Sequence, residues 1–436
     1  MSHARTTRRV LAAAATFGAL LVTAACSSTA TPSASGSAAG GVNWDERGPI
    51  TYAQGKDTAG VWKDVLAEWN TAHPNEQVTF RELSPEADQQ RADMINRGQA
   101  KSGEFSVMSV DVVWTSEFAA NGWLQELPAD KFPTTGMLAS AVDASTYFNK
   151  LYAYPQASDG AMLYYRKDLL DKATLEAPKT WDEMKAACDK ILPDQKGMSC
   201  YAGQHQKYEG LTCNIAEAVN SAGGEFVTAD GKSAVSTPEA IAGLQWMIDG
   251  FKSGMIPADA ITWKEEEGRQ AFQDGKLLFH RNWPYVWNLA SKDDGSSKIV
   301  GKFAVAPLPG KTGPGVSTLG GHNIGISAFT KNKGTAADFL KYIASEPIQK
   351  IFLEKGSLAP ILESLYADAA LSKQFPYLST LGESIKLAKA RPKAVKYGDV
   401  TLAIQDATYA AIQQPSQKTA EAAFGDLQTK LDGLLK

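Results

Sequence analysis

The 436-residue sequence is short of most features that mark chemistry. It has four cysteines and five histidines, and none stand at CxxC or HxxxH spacing, so nothing resembles a metal site. No GxSxG or HExxH occurs, so the common hydrolase signatures are missing. Gly310-Lys311-Thr312 hints at a phosphate loop, but that motif requires glycine where Val305 stands, and no cofactor is called for. The net charge of −4 gives no sign of a nucleic-acid partner. There is no internal repeat, and beyond the first residues no apolar run could span a membrane. A composition of 44% hydrophobic and 21% charged residues remains, enough for two or three domains' worth of core.

The N-terminus is read as an address. Arg5, Arg8 and Arg9 precede the apolar run Val10–Val22, which ends at Thr23-Ala24-Ala25-Cys26. This resembles a bacterial lipoprotein signal, with residues 1–25 removed and Cys26 lipidated, although Thr23 stands where leucine is usual. Arg8-Arg9 also weakly resembles a twin-arginine signal. Loss of the leader, with its three arginines and no acid, takes the net charge from −4 to −7. The Ser/Ala/Gly-rich stretch that follows cannot bury a core and predicts a flexible tether over 26–47. The folded part is thereby expected outside the cell, held to the outer face of the cytoplasmic membrane by a lipid. That location permits a disulfide. Cys188, at the end of a helical stretch, and Cys200 are expected to pair across a short loop through Pro193 and Gly197, with Cys213 a buried thiol in an apolar helix.

Along the folded chain, strand and helix patterns alternate. Pro49–Ala53, Val78–Leu83 and Val110–Trp114 read as strands, and Val61, Trp62, Val65, Leu66 and Trp69 recur at helical spacing. The alternation predicts helices covering a mostly parallel sheet. Gln54–Asp57 and Trp114–Glu117 then follow the carboxyl ends of strands, where such sheets bind ligands. In Leu151–Asp171, a strand is expected to break at Pro155, followed by polar Gln156–Gly160 and a second strand, Ala161–Tyr165. A polar break between two buried strands suggests a chain passing from one domain to another, and Pro307–Gly315 reads as a second crossing. Thr180–Glu183 forms a capping box, and Phe424, Leu427, Leu431 and Leu434 are spaced as one core face.

Tyr152–Thr180, Gly275–Trp287 (GKLLFHRNWPYVW), Phe303–Pro309 (FAVAPLP) and Ala336–Ser345, in this order and spacing, resemble the extracellular solute-binding proteins of ABC importers, specifically the maltose- and trehalose-type oligosaccharide binders. The resemblance implies an α/β fold of two lobes joined by crossing segments, with 48–155 and 312–360 in lobe 1 and 156–311 and 361–436 in lobe 2. The lobes would close like a hinged trap on a ligand in the cleft between them. It implies a monomer that captures an oligosaccharide, such as trehalose or maltose, and delivers it to transmembrane permease subunits.

The resemblance also implies site residues. Trp283 matches a sugar-stacking tryptophan, Asp159 a hydroxyl binder in the first crossing, and Glu265 a ligand contact before a helix. Gln54, Asp57, Asp111, Trp114 and Glu117 lie on matching strand ends. Gly321-His322 match a turn facing the cleft, Tyr208-Glu209 a loop facing it, and Arg391-Pro392 a sugar-clamping pattern of the trehalose-type members. A core tryptophan, a turn aspartate and a surface arginine are the plain structural alternatives for Trp283, Asp159 and Arg391. The competing functions are a binder of another solute, polyamine or peptide, and an exported carbohydrate-active hydrolase, which would need two carboxylates across a scissile bond.

Overall fold

The computed structural model describes residues 42–435. The leader, Cys26 and the tether up to residue 41 lie outside the described residues. In chain order the strands are β1 (Ile50–Gln54), β2 (Val78–Glu82), β3 (Val107–Asp111), β4 (Thr146–Tyr147), β5 (Lys150–Leu151), β6 (Tyr154–Ala157), β7 (Met162–Tyr165), β8 (Ser199–Ala202), β9 (Leu277–Asn282), β10 (Ala304–Ala306) and β11 (His322–Ile326). They build a five-stranded sheet in the order β2-β1-β3-β11-β6 and a four-stranded sheet in the order β10-β7-β9-β8, with β4 and β5 a separate hairpin. Helices surround both sheets, giving the two-lobed α/β architecture expected.

The sheets are mixed and not mostly parallel. β1 runs parallel to β2 and β3, and β8 to β9, but β11 is antiparallel to β3 and β6, and β7 to β9 and β10. Strands joined through helices enter parallel, whereas those at the crossings return in the opposite sense. β6 and β7 follow one another in the chain yet belong to different sheets, and Ser158–Ala161 carries the chain between them. Residues 307–321 carry it back from β10 to β11.

Two local expectations shift. Pro155 does not break its strand but lies inside β6, opposite Asn323. β6 is an edge strand, so a residue without an N–H is tolerated there. The strand expected over Val110–Trp114 is β3, ending at Asp111. The Asp111 carboxylate accepts the Val113 amide at 3.1 Å and turns the chain, and Val112–Trp114 stay buried in that turn. A run that is apolar on every side does not distinguish a buried strand from a buried turn.

The helix Trp181–Ile191 starts at the predicted capping box, in which the Glu183 amide donates to Thr180 Oγ1 and the Glu183 carboxylate accepts the Thr180 amide. The Cys188–Cys200 disulfide ties the last turn of this helix to β8, with the two Cα atoms 5.5 Å apart, and Cys213 is free and buried. The C-terminal helices Tyr397–Gln413 and Ala420–Leu434 pack on Glu209–Ser221 and Pro238–Ser253. Phe424, Leu427 and Leu431 are fully buried there, each contributing about 1.5–3 kcal/mol, while Leu434 near the chain end is only partly covered.

Candidate ligand-binding site

A cavity of about 280 Å³ lies where the two sheets face each other. The first sheet contributes the turn after β1 (Gln54–Asp57), Asp111 at the end of β3, Gln156 and Ala157 of β6, and the start of β11. The second sheet and its helices contribute Tyr208–Gly210, Glu265, Glu266, Trp283 and Tyr285, and the C-terminal segment contributes Arg391. The cavity thus lies beyond the carboxyl ends of β1, β3, β6 and β9, where α/β sheets commonly bind ligands, and beside the amino end of β11.

Arg391 is 2% exposed, and three segments of the chain meet on it. Its Nη2 donates to Asp111 Oδ1 at 2.6 Å, and its Nη1 donates to Glu209. Glu209 opens the helix Glu209–Ser221, where a negative charge suits the helix dipole. It also accepts from the Tyr397 hydroxyl and, at 2.7 Å, from Thr401 Oγ1. Burial alone would lower the Arg391 pKa, but the carboxylates of Asp111 and Glu209 outweigh it and hold the guanidinium above its ordinary range, hence charged. Its Nε, also buried, has no hydrogen-bond partner among the described residues.

Trp283 is half-buried beside the cavity. Its amide donates to Asn282 Oδ1 at 2.8 Å, and its carbonyl accepts the Tyr164 hydroxyl at 2.8 Å, which fixes the backbone after β9. Gly320 of the second crossing lies against the indole edge, where an added Cβ would come within 2.7 Å of the ring. Tyr208 donates to Glu265 Oε2 at 2.6 Å and Tyr285 to Glu266 Oε1 at 2.7 Å, so two phenols orient two carboxylates on the same wall.

The crossings form the back of the cavity. Asp159 and Gly320 exchange backbone hydrogen bonds at 3.1 and 2.9 Å. Burial pushes the Asp159 carboxyl up to about 7, partly offset by a hydrogen bond from the Ala359 backbone, and the nearby Asp111 charge adds to the rise. Gly321 sits at φ +100°, and a Cβ there would collide with the Ala157 carbonyl oxygen at 2.2 Å, so only glycine allows the close passage of the two crossings. Burial lowers the His322 pKa, leaving the imidazole neutral near pH 7.

Ten of the twelve expected residues therefore line one cavity: Gln54, Asp57, Asp111, Asp159, Glu209, Glu265, Trp283, Gly321, His322 and Arg391. Two do not. Trp114 is buried in the core with its ring stacked 6.2 Å from Phe118, because β3 ends three residues earlier than expected. Glu117 points away into an ion pair with Arg91. Asp57 reaches the cavity wall, but its two oxygens accept the amides of Gly60, Val61 and Trp62 at 2.9–3.2 Å, so it also caps the helix Trp62–Ala72. Gln54 Oε1 accepts from the Tyr52 hydroxyl and Gln156 Nε2. Sequence reasoning missed Gln156, Tyr285, Gln90 and Cys213 as lining residues. Tyr285 follows Trp283-Pro284 directly and carried a usable signal, whereas Gln90 and Cys213 lie inside helices whose periodicity says nothing about a cavity.

Residues 52–350 match the family described as bacterial extracellular solute-binding protein. The chain is 34% identical over 347 residues to a probable ABC transporter-binding protein of Deinococcus radiodurans, covering 76% of this chain and 81% of that one. Among solved structures, it resembles maltose-bound MalE3 of T. maritima, with a TM-score of 0.84, 32% identity and coverage of 88% of this chain and 99% of the other. It also shares the fold of a solute-binding protein of Thermotoga lettingae solved with alpha-D-tagatose, with a TM-score of 0.81, 24% identity and coverage of 89% and 100%.

Proposed function

The chain belongs to the bacterial extracellular solute-binding protein family, and on that premise we propose that it captures a sugar, most specifically an oligosaccharide of disaccharide size, and delivers it to the transmembrane permease subunits of an ABC importer. The observation that carries this reading is the pairing, in one cavity, of an indole wall with charged and amide groups. Trp283 offers a flat apolar face for the C–H surface of a sugar ring, while Arg391, Asp159, Glu265 and Gln54 offer groups for its hydroxyls. The maltose in the structure with 32% identity supports the same ligand class. Arg391, already charged between Asp111 and Glu209, weighs against a polyamine.

The ligand is bound and released unchanged. The crossings at Ser158–Ala161 and 307–321 act as the hinge between lobe 1 (48–155 and 312–360) and lobe 2 (156–311 and 361–436), except that β6 extends lobe 1 through Ala157. The protein acts as a monomer, anchored outside the cytoplasmic membrane through lipid on Cys26. A thermal-shift and calorimetric panel of mono- and disaccharides, polyols, polyamines and short peptides tests the reading. A sugar that raises Tm and returns intact supports it; stabilisation by polyamines or peptides alone, or cleavage of the sugar by purified protein, overturns it.

A further inference from the structure

Arg281 is the second-to-last residue of β9 and has no exposed surface. Its Nε donates to Glu217 Oε2 at 2.7 Å, its Nη2 donates to Glu217 Oε1, and its Nη1 donates to Gln204 Oε1 at 2.6 Å. Gln204 is held in turn by Asn214 Nδ2 at 3.0 Å and returns a bond to the Arg281 carbonyl at 3.2 Å. The guanidinium is thus fixed in plane, and its carbon lies 4.0 Å from the centre of the Trp283 indole. Packing alone does not account for this arrangement. Two buried charges are costly to desolvate, and apolar residues of the same size would fill the space as well or better. A rigid planar cation stacked on an aromatic face does something an aliphatic side chain cannot: it sets the tilt of the ring.

The pair also reaches the second crossing. Glu217 Oε1 accepts the Thr318 amide at 3.2 Å, and Gly320, two residues on, lies against the indole edge. One carboxylate therefore links the support of Trp283, the helix Glu209–Ser221 and the segment joining the sheets.

We propose that Arg281, clamped by Glu217, is a positioning residue for ligand capture that holds the Trp283 indole at the angle required for stacking on a sugar ring. The inference rests on the sugar-binding reading. Its test is a double-mutant cycle on the sugar that the panel identifies, with Tm followed for every variant. Arg281→Met/Glu217→Gln removes both charges together, so no unpaired charge is left buried. In this variant, affinity falls about tenfold, the effect of losing roughly one well-oriented stacking contact. In a Trp283→Ala background the same pair of changes leaves affinity unaltered, which a merely structural role, weakening the fold regardless of Trp283, would not produce. If the neutral pair does not fold, Arg281→Lys, which keeps the charge and loses the planar fork, is carried through the same cycle. An equal loss of affinity with and without Trp283, or no loss in either, overturns the inference while leaving the sugar-binding reading standing. Affinity unaffected by Trp283→Ala alone likewise overturns the inference, whereas a panel in which no sugar raises Tm overturns the reading it rests on.

Discussion

Arg391 and Asp111, 280 residues apart in the chain, meet at 2.6 Å on the wall of the cavity, and Glu209 takes the other arm of the same guanidinium. The ion pair is a tertiary bridge between the end of β3 in one sheet and the start of a helix beside the other. Arg391→Ala leaves two carboxylates buried without their cation, a loss of about 3–5 kcal/mol for a broken buried pair. Both Tm and sugar affinity fall. Arg391→Lys keeps the charge but cannot serve two carboxylates in one plane, and it is expected to recover Tm more than affinity. Calorimetry and thermal melts of the two variants check this, and an Arg391→Ala protein with native Tm contradicts it.

Trp283→Ala separates a binding wall from a core tryptophan. Loss of an anchor of this kind costs about 2–4 kcal/mol in binding, equivalent to roughly a 30- to 1000-fold weaker Kd. Because the ring is half-buried at the cavity, Tm without ligand stays near native. A large fall in Tm with unaltered affinity would mean that the ring serves the core alone.

Asp159 makes stability depend on pH in a predictable direction. Its carboxyl rises from 3.8 to about 7 on folding because burial disfavours the charge. The folded state therefore holds a proton that the unfolded state has released, and the resulting contribution is present at low pH and lost as pH rises through about 7. Asp159→Asn removes this dependence. The difference in Tm between wild type and Asp159→Asn should favour the variant increasingly from pH 5 to pH 8, and a constant difference would show that the carboxyl titrates normally.

The Cys188–Cys200 disulfide closes a separation of twelve residues. Replacing both cysteines by alanine is expected to cost about 2–3 kcal/mol in the chain-entropy account, read as a lower denaturant midpoint. Cys213 should resist thiol reagents until the protein unfolds, since burial pushes its thiol up and keeps it protonated. Peptide mapping that finds Cys213 in a bridge contradicts the assignment.

What was legible in the sequence was mostly local. The capping box at Thr180 and Glu183 and the polar breaks between strands of different sheets each leave a mark within a few residues. The twelve expected site positions came from resemblance, and ten converge on one cavity. Trp114 and Glu117 stand outside it: the apolar run Val110–Trp114 hides where β3 ends, and a shift of three residues moves Trp114 from a strand end into the core, while Glu117 pairs with Arg91. The partner of Arg391 was not legible at all, since a pairing across 280 residues has no local signature. The same holds for Arg281, which reads as one more residue in a strand until the structure sets it beneath Trp283.

β11 lies between β3 and β6, although it begins at His322 and β6 ends at Ala157. During synthesis the first sheet therefore lacks an inner strand until residue 326 of 436 has emerged. Until then β3 and β6 each present an open edge, and pairing across so long a separation is slow. The first sheet therefore closes last at an inner position, by a strand that the chain supplies only after the whole second sheet.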